Sequence, residues 1–242
     1  MKAIAIGRWR FEPKRWPSFA TVIFVLLTLS LGEWQTRRAK EKLELRARID
    51  ALAASPVVAL PARAVGASEF AQRPIEVRGE FLAEKTIFID NRVYRMQPGY
   101  HVITPLRITG GNAHVVINRG WVAADPRRVV LPQVATPQGE QVLKGLAVIP
   151  LDHVYELAPD TAYGPVKQHL ALDRLRAQWG IELQPVVMLQ TSSAADRLVR
   201  DWPRQDEGVD THLAYALQWN VMAAVGAILW VSLNLRVANG KD

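Results

Sequence analysis

The sequence predicts an α+β membrane protein in which two transmembrane helices flank an antiparallel, β-rich extramembrane domain, folded as a barrel or a sandwich. Two uncharged runs predict the helices: Trp16 to Gly32 and the 25 residues from Thr211 to Leu235. Between them lie short apolar stretches separated by turn residues, which is the pattern of several strands. The chain of 242 residues leaves roughly 175 residues for the domain between the helices.

The second run is long enough to cross a bilayer core of about 30 Å, because a helix rises about 1.5 Å per residue. The first run is near the short limit for a span, and Glu33-Trp34-Gln35 follow it as an interfacial end. We predict transmembrane helices at residues 16–35 and 211–235. A signal peptide at the first run and a buried core helix at the second are the alternatives.

Charge sets the predicted orientation, because basic residues near a span favour the cytoplasmic side. The segment 206–210 before the second span is acidic. We therefore expect residues 1–15 and 236–242 to be cytoplasmic tails, and the domain at 36–210 to lie in the periplasm of a bacterial inner membrane. The basic residues outside the spans at the two termini are Lys2, Arg8, Arg10, Lys14, Arg15, Arg236 and Lys241.

The net charge of +7 does not indicate nucleic acid, since no compact basic patch with interleaved aromatic residues occurs. The lipid bilayer is the partner that this charge fits. The chain has no cysteine, which excludes disulfides, thiolate metal sites and cysteine nucleophiles.

Periodicity predicts the remaining elements. A helix continues out of the membrane over residues 34–54 and ends at Ser55-Pro56. A second helix over 170–179 ends at Gly180. Thr109-Gly110-Gly111-Asn112 predicts a hairpin turn, and turn residues also occupy 91–99. The predicted strands are residues 74–81, 85–90, 100–106, 114–122, 139–149 and, as the last strand, 185–189.

Enzyme signatures are missing from the sequence. There is no nucleophile elbow, phosphate-binding loop, dinucleotide fingerprint or zincin motif. No two histidines lie three or four residues apart, so a helical di-histidine metal site is excluded. We expect no catalytic activity, and a membrane-bound hydrolase is a remote alternative. The histidines are His101, His114, His153, His169 and His212.

His212 is the candidate ligand. On a helix, His212, Tyr215, Ala216 and Trp219 share one face, and imidazole is a common axial ligand of haem iron. Small Ala216 would leave room for a flat macrocycle, with the aromatic rings at its edge or face. The alternative is a polar helix end within an ordinary interfacial aromatic belt.

Four stretches in this order, with a span at each end, resemble the Surfeit-locus-one (Shy-one) family of cytochrome c oxidase assembly factors. Two small departures occur: Thr211 stands where asparagine often precedes the histidine, and Asn220 where an aromatic residue is usual. The stretches are LGEWQTRRAKEK (31–42), DNRVYRMQPGYHVITPL (90–106), VINRGWV (116–122) and HLAYALQW (212–219).

The resemblance implies that the protein binds haem a transiently and assists its insertion into oxidase subunit I, with the haem a synthesis enzymes as further partners. It implies that His212 ligates the iron. Trp34, Gln35 and Arg38 would lie beside His212 if the two helices pack. Arg37 or Arg38 would then either bind a propionate or anchor the helix among headgroups. The predicted haem-binding residues are His212, Tyr215, Trp219, Trp34 and Arg38.

The central motifs favour a structural interpretation. Tyr100 and Trp121 are expected to be core residues or contacts between the domain and the membrane, and His101 to be a satisfied domain residue rather than a second haem ligand. Asn91 and Asn118-Arg119-Gly120 would form a polar network at strand ends, with a partner surface as the alternative. A different function also fits: a scaffold that stabilises oxidase subunits without binding haem.

Overall fold

The computed structural model describes residues 4–6 (backbone only), 8–150, 164–202 and 208–237. Predictions on His153, on residues 206–207 and on the tail after residue 237 lie outside these ranges. The elements, in chain order, are β1 (Ile4–Ile6), β2 (Trp9–Phe11), α1 (Arg15–Ala53), β3 (Val58–Ala59), α2 (Ala67–Phe70), β4 (Pro74–Phe81), a 3₁₀ turn (Ala83–Lys85), β5 (Ile87–Tyr94), β6 (Gln97–Ile108), β7 (His114–Ala123), β8 (Glu140–Val148), β9 (Val166–Lys167), α3 (Leu172–Trp179), β10 (Leu183–Gln190), α4 (Val209–Asn234) and β11 (Leu235–Val237).

The chain forms two compact units. Met1–Arg48 and Arg204–Asp242 make one, which we call the helix-pair unit, and Ile49–Pro203 make the other, the barrel unit. Both α1 and α4 are long and apolar enough to cross a membrane. The predicted α+β architecture with two such helices around a β-rich domain is therefore confirmed. The bilayer limits at 16–35 and 211–235 stay predictions.

Small residues form the seam between α1 and α4. Membrane helices associate through close packing of small side chains, because lipid provides little hydrophobic drive between them. Gly32 and Ala39 on α1 are seven residues apart, as are Val209, Ala216 and Ala223 on α4, and this spacing is the period of two helices packed at a shallow angle. The buried seam residues are Ser18, Thr28, Gly32 and Ala39 on α1 and Val209, Ala216 and Ala223 on α4.

A single continuous helix joins the first span to its charged extension, as predicted. Ser55 follows the helix end and its N–H bonds the Leu52 carbonyl, while Pro56 cannot continue the helix. The outward face of the apolar part exposes large side chains such as Phe19 and Leu26, which suits a surface in contact with lipid.

The terminal residues form a three-stranded antiparallel sheet, in the order β1-β2-β11, which no pattern in the sequence predicts. Phe11 pairs with Leu235, immediately after α4 ends. These strands are only three residues long, too short for a period-2 pattern to be recognised. The sheet ties the two helices together at the end that carries both termini.

The barrel unit closes into a ring of five strands. The sheet order is β3-β4-β8-β10-β7-β6-β5-β9, and an additional pairing of β4 with β6 closes the ring. β6 is long enough to pair with β5 in its first half and with β4 near its end. The prediction of a barrel or sandwich is thus resolved in favour of the barrel.

The sheet is not purely antiparallel, which corrects the expectation for the domain. β7 and β10 are parallel, as are the short pairs β3–β4 and β5–β9. A parallel pair needs a crossover connection, and the chain between β8 and β10 carries α3. Helix α3 ends at Gly180, whose φ of 63° gives the left-handed cap that the sequence predicted.

The turn between β5 and β6 is shorter than predicted. The turn residues of 91–99 predict a turn over that whole stretch, but β5 runs to Tyr94 and β6 begins at Gln97. Arg95 and Met96 both have positive φ, which is the geometry of a two-residue type I′ hairpin. The signal was misleading because Pro98-Gly99 lies inside a strand and neither turn residue is glycine or asparagine. The hairpin at residues 109–112 is confirmed.

The barrel interior is filled by side chains from all five ring strands, including Ile75, Leu106, Val115, Leu143 and Met188. A second cluster lies between α3 and the outer wall of the barrel. A third surrounds Tyr100, and both Tyr100 and Trp121 are buried, as expected of core residues.

Candidate functional site

The packing of α1 against α4 brings Gln35 to His212. The His212 Nδ1 and Gln35 Oε1 atoms are 2.6 Å apart, although the residues are 177 positions apart in sequence. An amide oxygen only accepts, so Nδ1 carries the proton and donates. The lone pair of the imidazole is then on Nε2, the nitrogen that remains to bind a metal.

The first turn of α4 fixes the position of His212. Gly208 caps the helix with φ of 65°, and the His212 N–H donates to the Gly208 carbonyl at 3.3 Å. The seam holds Gln35 on the other helix, between the buried residues Gly32 and Ala39. Both partners of the hydrogen bond therefore sit on regular helices, which position side chains more accurately than loops.

The predicted face of α4 is divided by the seam. Ala216 is buried under α1, Trp219 is half-buried, and Tyr215 is 48% exposed. The space that we expected beside Ala216 is thus taken by α1. The open flank next to His212 is the one that carries Trp219 and Tyr215.

Trp34 and Arg38 lie on the same side of the pair as that flank. Helical geometry rotates Arg38 about 60° and Trp34 about 100° away from Gln35. Tyr215 is rotated from His212 in the same sense, by about 60°. Because α1 and α4 are antiparallel, rotations in the same sense on the two helices bring Trp34, Arg38 and Tyr215 to the same side of the pair. Trp34 is 46% exposed. The Arg38 guanidinium pairs with Glu41 at 2.9 Å on the exposed surface. An anion would have to compete with that pair, which is weak because both groups are in solvent.

Gly32 allows the close approach of the helices near the site. A Cβ on Gly32 would lie 3.1 Å from Asn220 Oδ1, and Asn220 donates to the Ala216 carbonyl at 2.9 Å. The sequence placed Gln35 beside His212 on condition that the helices pack, and the structure shows that contact. Gln35 was not among the predicted haem-binding residues, because its hydrogen bond to His212 is visible only once the two helices are paired.

The barrel unit places the central histidine in a polar contact. Asn118 Nδ2 lies 3.2 Å from His101 Nδ1, and Trp202 contacts the imidazole edge-on. Burial, and then the positive charge of Arg92, lower the pKa of His101 to about 4. The imidazole is therefore neutral at physiological pH and already engaged, in agreement with a structural role.

Arg119 of the same motif is fully buried in an ionic cluster. It donates to the Ala135 carbonyl, to Thr136 Oγ1 and to Asp196 Oδ2, and Arg200 also donates to Asp196. Burial lowers the pKa of Arg119 against the opposing effect of Asp196. Burial acts to raise the pKa of Asp196, but hydrogen bonds and both arginines bring it below its usual value. Of the predicted polar network, Arg119 joins strand β7 to two loop segments, whereas Asn118 contacts His101 instead.

Asn91 is not part of this network: its N–H donates to the Asp90 carboxylate, and its φ is 57°.

Within the described ranges, no group of three or more histidine or acidic side chains is arranged to hold a metal ion.

Comparison with known proteins identifies the family. A model described as SURF1 family matches residues 22–224. Surfeit locus protein 1 of Mus musculus is 26% identical over 221 residues, covering 83% of this chain and 70% of the mouse protein. The Homo sapiens protein is 25% identical over 92% of this chain and 80% of its own length. The SURF1-like protein of Drosophila melanogaster is 27% identical over 84% and 72%. The family match includes both Gln35 and His212, and the chain belongs to the SURF1 family.

Proposed function

We propose that this protein assists the maturation of cytochrome c oxidase by binding haem a through His212 and transferring it to subunit I. Membership of the SURF1 family supports the role in oxidase assembly. The observation that supports haem binding is the hydrogen bond from His212 Nδ1 to Gln35, which leaves the imidazole lone pair on Nε2.

Haem a is the cargo here, not a resident cofactor. An iron-bound histidine usually donates its second nitrogen to an acceptor, which fixes the ring and makes the ligand more basic. Gln35 supplies that acceptor. Tyr215, Trp219 and Trp34 are the aromatic groups available to the macrocycle, and Arg38 is the cation available to a propionate.

Release is as important as capture for such a carrier. A single ligand on a half-buried helix end holds its cargo less firmly than a closed pocket with two axial ligands. Binding energy is limited further because the flank beside His212 is open rather than enclosed. The arrangement favours transient binding.

We place the protein in a bacterial inner membrane, with the termini in the cytoplasm and the barrel unit in the periplasm. Basic residues before α1 and after α4 support this orientation. Subunit I and the haem a synthesis enzymes are the proposed partners, since one receives the cargo and the others supply it.

The test is the absorbance spectrum of full-length protein purified in detergent from cells that make haem a. His212→Ala should lose the haem Soret band while its circular dichroism remains that of the wild type. His169→Ala, which removes a half-buried histidine of the barrel unit, is the matched control and should retain the band.

Imidazole added to a His212→Gly variant should restore haem binding, because it replaces the missing ligand without a covalent link. Equal haem content in wild type and His212→Ala would refute the proposed ligand. Retention of haem by the alanine variant with altered band positions would instead identify another axial group.

The scaffold function has one observation in its favour. The β5–β6 hairpin exposes Met96 to 94% and Val93 to 64% at its tip, and exposed apolar side chains of this kind often bind partners. A wild-type preparation that is colourless but still co-purifies with subunit I would favour the scaffold. Loss of that co-purification in Met96→Ser would locate the contact.

A further inference from the structure

The helix-pair unit contains a groove of about 560 Å³ at the end that carries both termini. This volume falls within the range of small-molecule sites, roughly 300–1,000 Å³. The groove is formed by α1, α4 and the residues that join them to the terminal sheet. Its lining includes Lys14, Ala20, Phe24, Leu229, Leu233 and Arg236.

The apolar walls of the groove are held in place. A Cβ on Gly226 would lie 2.8 Å from the Phe24 ring, so the glycine lets that ring lie directly against α4. Trp230 donates its indole N–H to Ser18 Oγ at 3.0 Å and contacts Phe11 edge-on. Two aromatic side chains therefore define a preformed apolar cleft between the helices.

The rim of the groove is cationic. Lys14 and Arg236 both line it and both are exposed. Glu12 also lines it, but its carboxylate pairs with Arg10 at 2.8 Å, which offsets its charge. Backbone groups at the rim are used in pairing, since the Glu12 N–H donates to the Asn234 carbonyl. The mouth of the groove therefore carries the positive charges of Lys14 and Arg236.

We propose that this groove binds one anionic phospholipid, with an acyl chain along Phe24, Leu229 and Leu233 and the phosphate at Lys14 and Arg236. Basic pockets between transmembrane helices recognise anionic headgroups, and each basic residue contributes appreciably to binding. Trp16, on the first turn of α1, is exposed at the same level and suits the headgroup region. The site is separate from His212, which lies at the other end of the helix pair.

A transmembrane helix of a partner protein fits the groove less well. Such a helix is about 10 Å wide with its side chains, whereas this cleft lies between two helices that already touch along their seam. A partner helix would also have to place an acidic residue between Lys14 and Arg236. A phospholipid carries its negative phosphate at the membrane surface, which is the level of Lys14 and Arg236.

The experiment is native mass spectrometry of the full-length protein in detergent, titrated with phosphatidylglycerol or with phosphatidylcholine of the same acyl chains. Wild type should bind one phosphatidylglycerol roughly tenfold more tightly than phosphatidylcholine. Lys14→Gln/Arg236→Gln should lose this preference. Arg8→Gln/Arg15→Gln removes two charges near the same end, outside the groove, and should keep it. Ala20→Trp should reduce binding of both lipids by filling the groove.

Equal affinity of the wild type for the two lipids, or equal loss of preference in both double variants, would overturn the proposal. A photo-reactive residue at Leu229 distinguishes the occupants in native membranes. A lipid-mass adduct supports the phospholipid, and a protein-mass adduct shows that a partner helix covers the groove instead. Haem loading measured on the same samples is expected to be unchanged.

Discussion

His212 Nδ1 lies 2.6 Å from Gln35 Oε1, so a hydrogen bond links the first turn of α4 to the middle of α1. The bond does two things at once. It satisfies a polar group near the apolar seam, and it leaves Nε2 as the metal-binding nitrogen.

Gln35→Leu should weaken haem binding by about 10- to 100-fold, which is the usual cost of losing the acceptor behind a metal-bound histidine. Haem titration of detergent-purified protein measures this. Thr36→Val is the control, because Thr36 bonds only the Gly32 carbonyl of its own helix. Unchanged affinity in Gln35→Leu would show that the hydrogen bond does not position the ligand.

Gly32→Val should force the helices apart beside Asn220 and disturb the contact between Gln35 and His212. The added side chain meets Asn220 at about 3.1 Å. Overpacking of this kind costs about 1–3 kcal/mol. Asn220→Ala in the same chain should recover most of the lost thermal stability and haem binding. Failure of the second substitution to rescue the first would rule out this contact as the cause.

The free energy of unfolding of the barrel unit should fall in mild acid because of the lowered pKa of His101. Its folded pKa of about 4 is below the ordinary value of 6.5, so the unfolded chain binds the proton first as the pH falls. The contribution to stability is complete above pH 6.5 and is lost between pH 6.5 and 4, with a total of up to about 3 kcal/mol.

The change in unfolding free energy between neutral pH and pH 5 should therefore be about 2 kcal/mol smaller in His101→Gln than in wild type. Denaturant unfolding of the full chain, followed by tryptophan fluorescence, provides the comparison. An identical pH dependence in the two proteins would contradict the assignment.

Arg119→Ala should destabilise the barrel unit by about 3 kcal/mol or more, because it removes a buried charge partner of Asp196 and the contacts to Ala135 and Thr136. Arg128→Ala breaks an exposed pair with Asp90 and should cost at most about 1 kcal/mol. The two decreases in unfolding free energy are measured by the same denaturant experiment. Their ratio tests whether burial determines how much an ion pair contributes to stability.

Single-cysteine variants can test the orientation, since the chain has no cysteine of its own. Met96→Cys in the barrel unit should react with a membrane-impermeant maleimide once only the outer membrane is permeable. Arg8→Cys should react only after the inner membrane is opened. The reverse pattern would invert the proposed topology.

The elements with long periodic patterns were predictable because local physics fixes them. Uncharged runs of 17 and 25 residues predicted α1 and α4, alternation predicted β4, and Gly180 marked the end of α3. The strands of two or three residues were missed, since they carry no periodicity. The β5–β6 turn was misplaced, because Arg95 and Met96 adopt positive φ only when the paired strands demand it.

By itself, then, the sequence determined the two helices, the β-rich domain between them, the family resemblance and the candidacy of His212. Those features depend on hydrophobicity, propensity and spacing along the chain. The tertiary structure alone decided that β4 pairs with β6 to close the barrel and that the two helices pack so that Gln35 accepts a hydrogen bond from His212. It also buried Ala216 and left Tyr215 exposed. These outcomes depend on how distant surfaces pack, and no local pattern encodes which side of a helix its partner will cover.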